Sequence, residues 1–189
     1  MDTADLAGLV RACPWLMAAL AAVRASRLPE AWIGAGVLRD LVWDERYGAG
    51  FDPARVRDVD VAFFDAADLS RDRDQSATAL LTGLLPAVPW EATNQAAVHT
   101  WYADHFGGAA VPPLTSVADA VATWPETATS VAVRLTDRVE VCAPLGVADL
   151  LGGVWRPNPR RITVERSRER LARQRPATRW PGVRVADAV

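Results

Sequence analysis

Trp32-Ile33-Gly34-Ala35-Gly36-Val37-Leu38-Arg39-Asp40 is a short apolar run that breaks on glycines and restarts with helical spacing. It reads as a strand over Ala31–Ile33, a tight turn at Gly34–Gly36, and a helix from Val37 to about Tyr47. Backbone N–H groups of such a turn, with the positive end of the helix behind them, suit a phosphate. Glycine lets a ligand approach backbone that a side chain would screen. Alone the feature is weak, because strand–glycine–helix turns occur in many folds.

The next strong segment is Arg57-Asp58-Val59-Asp60-Val61-Ala62-Phe63-Phe64, a β-branched and aromatic run that predicts a strand. Residues i and i+2 of a strand share a face, so Asp58 and Asp60 project together. Adjacent carboxylates repel unless a proton or a cation lies between them. A hard cation such as Mg²⁺ or Mn²⁺ accepts their oxygens, with substrate phosphates completing its shell. Two solvated aspartates at a strand start are the plainer alternative.

The remaining chain alternates in the same way. The first 28 residues are helical, interrupted at Pro14. Residues 48–57 form a loop, and a helix is expected from Ala66 to Leu85. Trp90–Thr93 is a short strand, and Asn94 to His105 is helical. Val117–Trp124 is a short helix. Val131–Leu135 and Val139–Cys142 flank Thr136-Asp137-Arg138 as a hairpin, and Val147–Leu151 is a helical turn. Arg156–Arg161 is linker-like, Glu165–Gln174 is an Arg-rich helix, and the last fifteen residues are irregular. Together these predict an α/β (α+β) fold with a mixed sheet flanked by helices.

Composition narrows the classes. The 189 residues are 50% apolar and suit one domain with a small appendage. The expected division is a main domain over 1–155 and an Arg-rich C-terminal extension over 156–189, packed on the same domain. That extension holds ten Arg against three acids, and residues 1–155 hold eleven Arg against twenty acids. It could meet phosphates, or be a solvated helix face. There is no lysine, which excludes a Schiff base and a P-loop lysine. Cys13 and Cys142 read as small buried apolar residues, and two Cys with two His do not make a zinc site. No apolar run reaches the ~18 residues of a membrane span. Met1 to Leu6 lacks the basic start of a secretory signal. The expectation is a cytoplasmic protein without a membrane partner.

The glycine turn followed by the paired-aspartate strand resembles the DNA polymerase beta-like nucleotidyltransferase superfamily. Gly34-Ala35-Gly36-Val37-Leu38-Arg39-Asp40 also resembles the Gly-Gly-x-x-Arg-Asp signature of tRNA nucleotidyltransferase heads. Two departures stand out: Ala35 occupies a position where Gly is usual, and 21 residues separate Gly36 from Asp58. Further blocks resemble a bacterial family of small nucleotidyltransferase-like proteins: Pro89-Trp90 with Asn94-Gln95 and His99, Trp124 to Thr129, and Ala143-Pro144-Leu145-Gly146 with Asp149-Leu150.

The resemblance implies the nucleotidyltransferase fold and transfer of a nucleoside monophosphate from an NTP to an acceptor hydroxyl (RNA, protein or small molecule), with release of pyrophosphate. It implies Asp58 and Asp60 as catalytic metal ligands for Mg²⁺ or Mn²⁺, and a third carboxylate on a neighbouring strand. Glu140 is the candidate for that third role, against the alternative of an ordinary exposed strand glutamate; Asp137 and Asp65 are the fallbacks. Gly34, Ala35, Gly36, Arg39, Asn94 and His99 are the expected nucleotide-binding set. His99 has the alternative of a satisfied core histidine, and Arg39 that of an exposed helix arginine. Two competing functions stay open: a non-catalytic nucleotide-binding module of the same fold, and nucleic-acid binding through the C-terminal arginines.

Overall fold

The computed structural model describes residues 2–107, 109–160 and 162–186. Arg161 and residues 187–189 of the expected C-terminal extension lie outside the described residues. Pro14 divides the first helical stretch as expected. Helix α1 (Thr3–Ala12) opens on an Asp2/Asp5 capping box, and α2 (Pro14–Ser26) begins on the proline itself, bent 99° from α1. No single helix among the described residues is long and apolar enough to cross a membrane.

The central sheet contains β1 (Trp32–Gly34), β2 (Val59–Phe63), β3 (Trp90–Asn94), β4 (Ala132–Leu135) and β5 (Val139–Cys142), in the order β3-β2-β1-β4-β5. The β2/β3 pair is parallel, and the other three pairs are antiparallel. The expected mixed sheet is therefore present. Strand alternation sorts its residues. Ile33, Val59, Val61, Phe63, Val133 and Val139 are buried on one face, beneath α1, α2 and α4 (Arg71–Leu84), with Leu6, Leu16, Leu20 and Leu81 among their partners. On the other face, Ala62 and Ala132 are covered by Val117 and Val121 of α6 (Val117–Val121). The part of that face near Asp58, Asp60 and Glu91 lines a cleft.

Helix α3 (Gly36–Tyr47) follows the glycine turn. Further along come α5 (Val98–Phe106), α7 (Ala148–Gly152), β6 (Val154–Trp155), α8 (Val164–Gln174), α9 (Pro176–Arg179) and β7 (Arg184–Val185), with β6 and β7 paired in a small parallel sheet. The tail is thus more ordered than the sequence predicts. Trp180 Nε1 donates to Asp44 on α3 at 2.6 Å. Arg179 reaches Asp40 at 3.0 Å and Asp44 at 3.4 Å. The Trp180 ring meets Trp43 edge-on at 5.1 Å. A Cβ at Gly153 or Gly182 would collide with Tyr47, so glycine permits this close approach.

Two other boundaries differ from expectation. Residues 66–70 are not helical. The Asp65 and Asp68 carboxylates accept the backbone N–H groups of Ala67 and Ser70, turns that compete with helix at its start. The stretch from Asn94 begins with a 3₁₀ turn, Gln95–Ala97, before α5.

Candidate active site

The turn after β1 is built from three residues with three different duties. Gly34 lies under the Trp124 ring, where any Cβ would overlap the indole. Ala35 adopts φ 56°, ψ −118°, in a region that favours glycine. Its N–H is fixed to the Val131 carbonyl at 3.1 Å. Gly36 opens α3, and its backbone hydrogen-bonds the Asp60 carboxylate. A Cβ at Gly36 would come within 3.9 Å of Asp58 Oδ1 and 3.8 Å of Arg39. The α3 N-terminus therefore faces the carboxylates directly.

Asp60 sits in register with Gly34 on one side and with Glu91 of β3 on the other. Asp58 is exposed just before β2, Asp60 is half-buried and Glu91 is exposed. Burial, then the negative charges of Asp58 and Glu91, push the Asp60 carboxyl up to about 7; the Gly36 backbone and Arg39 pull it back. That concentration of negative charge is what a cation relieves. The donors are all hard oxygens, suited to Mg²⁺ or Mn²⁺. Among the described residues no three such side chains already converge on one metal position.

Glu140 does not join this group. Its strand is separated from β2 by β1 and β4, about 14 Å at ~4.8 Å per strand. Its carboxylate is held by Arg134 at 2.7 Å and by the Thr136 hydroxyl at 3.1 Å, which keep it below the usual carboxylate range. Arg134 in turn lies 4.3 Å over the Trp32 ring. In the row of Asp60, the β5 residue is Cys142. Asp65 pairs with Arg73 at 2.8 Å, and Asp137 lies near Arg24 at 3.8 Å.

Three expected nucleotide contacts are also redirected. Asn94 is fully buried. Its oxygen accepts the N–H groups of Asp65 and Ala96, and its nitrogen donates to the Asp65 and Asp68 carbonyls. Its hydrogen-bonding capacity is spent on clamping that loop. His99 lies off the cleft, half-buried on α5, with Nδ1 enclosed and lacking a partner. Arg39 does line the cleft, but its guanidinium is buried and bonds Asp40 at 2.9 and 2.6 Å, with the Trp180 ring 5.3 Å away.

The structure adds residues that the sequence reading passed over. Glu91 is the foremost. Its signal was present in Trp90-Glu91-Ala92-Thr93, where Trp90 and Ala92 are buried and the alternate residues take the other face. From α8, Arg170 and Arg173 line the cleft. Arg170 bonds Glu126, which is 1% exposed, at 2.6 and 2.9 Å. Burial works against the Arg170 charge, but Glu126 and, more weakly, Asp60 raise its pKa overall. Glu126 is thus an ion-pair anchor, and neighbouring Thr127 donates to Asp149 at 2.5 Å. The cleft that these residues enclose has a volume of about 560 Å³.

A glycine turn, a helix N-terminus and carboxylates on adjoining strands face one cleft that also holds arginines, an arrangement suited to a nucleotidyltransferase. The comparisons agree: residues 21–185 match the model of a nucleotidyltransferase family, and the chain belongs to that family. It is also similar to a solved structure described as revealing a CCA-adding enzyme head domain, determined by NMR. The TM-score is 0.81 at 27% identity, over 99% of this chain and 97% of that one. A comparison with curated protein sequences finds no match.

Proposed function

We propose that the protein moves a nucleoside monophosphate from an NTP to an acceptor hydroxyl, releasing pyrophosphate, with a divalent cation held by Asp58, Asp60 and Glu91. The observation that carries this reading is the placement of Asp60: in register between Gly34 and Glu91, beside Asp58, and bonded to the first residue of α3. A bound Mg²⁺ or Mn²⁺ would supply charge neutralisation at phosphate oxygens. The protein's own groups do the rest. The N-terminus of α3 presents backbone donors to the phosphates. Arg173 adds positive charge from α8, and Arg170 lies beside it, paired with Glu126. Asp60, with its carboxyl pushed up to about 7, is partly protonated near neutral pH; a cation held beside it would favour the ionised form.

Similarity to a structure described as a CCA-adding enzyme head domain supports nucleotidyl transfer in general. Binding of nucleic acid by a free basic tail has less support. Arg156 bonds Asp149, Arg166 bonds the Phe106 carbonyl, Arg170 bonds Glu126, and Arg179 bonds Asp40 and Asp44. These arginines hold the protein together.

Calorimetry of NTP binding with and without Mg²⁺, followed by an assay of pyrophosphate release, tests the proposal. Divalent-dependent binding that Asp58→Asn and Asp60→Asn both weaken is the expected result. Metal-independent binding, or no nucleotide binding by the wild type, overturns it.

A further inference from the structure

A second compartment of about 480 Å³ adjoins the carboxylate cleft. Asp60, Thr93, Gln95, Trp124, Arg170 and Arg173 line both, so the two lie side by side along these residues. Their far ends differ in chemistry. The cleft ends on Asp58, Glu91 and Gly36. The compartment ends on Val98, Trp101, Tyr102 and Phe106 of α5, with Ile162 opposite them just before α8.

These walls are braced. Tyr102 and Phe106 pack at 4.8 Å, and Trp101 meets Phe106 at 6.3 Å. Arg166 of α8 lies 4.9 Å over the Phe106 ring and donates to the Phe106 carbonyl. One turn further along α8, Arg170 is tied to buried Glu126. Helix α8 is thereby fixed across the compartment at two points. A compartment with an aromatic end suits a planar ring, and the arginines shared with the cleft suit anionic groups attached to that ring.

We propose that the aromatic compartment holds the nucleobase of the incoming NTP, while its phosphates extend past Arg170 and Arg173 toward Asp58, Asp60 and Gly36. This rests on the nucleotidyl-transfer reading. The order of chemistry along the space follows the order within a nucleotide: ring, sugar, phosphates, cation. Stacking on Trp101 and its neighbours supplies the base contribution, which other proteins that bind bases on aromatic side chains obtain in the same way.

The test compares two probes on the full chain in Mg²⁺ by calorimetry: each of the four NTPs, and inorganic tripolyphosphate, which has no base. The wild type is expected to bind at least one NTP about tenfold more tightly than tripolyphosphate. Trp101→Ala removes a stacking face, and Ile162→Trp fills the compartment without touching α5. Both are expected to lower NTP affinity about tenfold and leave tripolyphosphate affinity unchanged. Trp101→Phe, which keeps an aromatic face, restores most of the loss. Unchanged tripolyphosphate binding also reports that each variant is folded. Equal losses for both probes, or no loss for either, overturn the compartment's role, as does a wild type that binds NTP and tripolyphosphate alike. If neither probe binds the wild type, the nucleotidyl-transfer reading fails first and takes this one with it.

Discussion

Glu91 and Glu140 stand on the two edge strands of one sheet, on the same face, and meet opposite fates. Glu140 faces Arg134 across β4 and is neutralised there. Glu91 faces Asp60 across β2 and adds to its negative field. Both lie in alternating strand segments, and Glu140 has the more regular setting between Val139 and Val141. The difference comes from strand order. The β3-β2-β1-β4-β5 arrangement puts β3 against the aspartate strand and leaves two strands between it and β5. A carboxylate becomes part of this site through its row in the sheet, which local sequence does not encode.

The strongest way to break this comparison is at the centre of the acidic row. Asp60→Asn is expected to reduce nucleotidyl transfer more than about 100-fold, beyond the 10–100-fold typical of groups that only support metal ligands; steady-state kinetics with saturating Mg²⁺ measure it. A variant within threefold of wild type would remove Asp60 from the chemistry. The edge strands come next. Glu91→Gln should lower kcat about 10–100-fold, while Glu140→Gln stays within about twofold and moves the urea unfolding midpoint little. Reversed effects would return the third-carboxylate role to β5.

The acidic row also has a pH signature. Asp60 keeps its proton in the folded chain to about pH 7, and the ordinary value is 3.8. Between those values the folded state binds more protons, so stability without divalent ions falls as pH rises from about 4 to about 7. Asp60→Asn should therefore raise Tm at pH 8 and change it little at pH 4. An equal gain at both values contradicts the assignment. The smallest effect is at the turn. Ala35 holds φ 56° without being glycine. Ala35→Gly should stabilise by about 1 kcal/mol, or about 2–4 °C in Tm, and a loss of stability would mean that the Ala35 methyl group packs usefully.

Much of the frame was legible in local sequence. Pro14 broke the first helix, the β-branched run located β2, and the Thr136-Asp137-Arg138 gap marked the hairpin. That Asp58, Asp60 and Gly36 lie together was legible because their spacing carries their geometry. What escaped depends on contacts between distant segments. Asn94 resembles a ligand residue, but its four hydrogen bonds go to a loop nearly thirty residues earlier and to its own turn. Arg170 and Arg173 are two among many arginines until α8 is laid across the sheet. The tail reads as irregular because Trp180, Gly182 and Val183 find their partners on α3 and beside Tyr47.

That last feature bears on how the protein is made. The bond between Trp180 and Asp44 spans 136 residues. During synthesis α3 leaves the ribosome long before the segment that clamps it. Over that interval Asp44 and the Trp43 ring lack Trp180, their partner in the finished fold. Contacts this distant in sequence form late. The clamp on α3 is therefore expected to set after the strands before it have emerged, which makes the helix behind the glycine turn one of the last parts of the fold to become fixed.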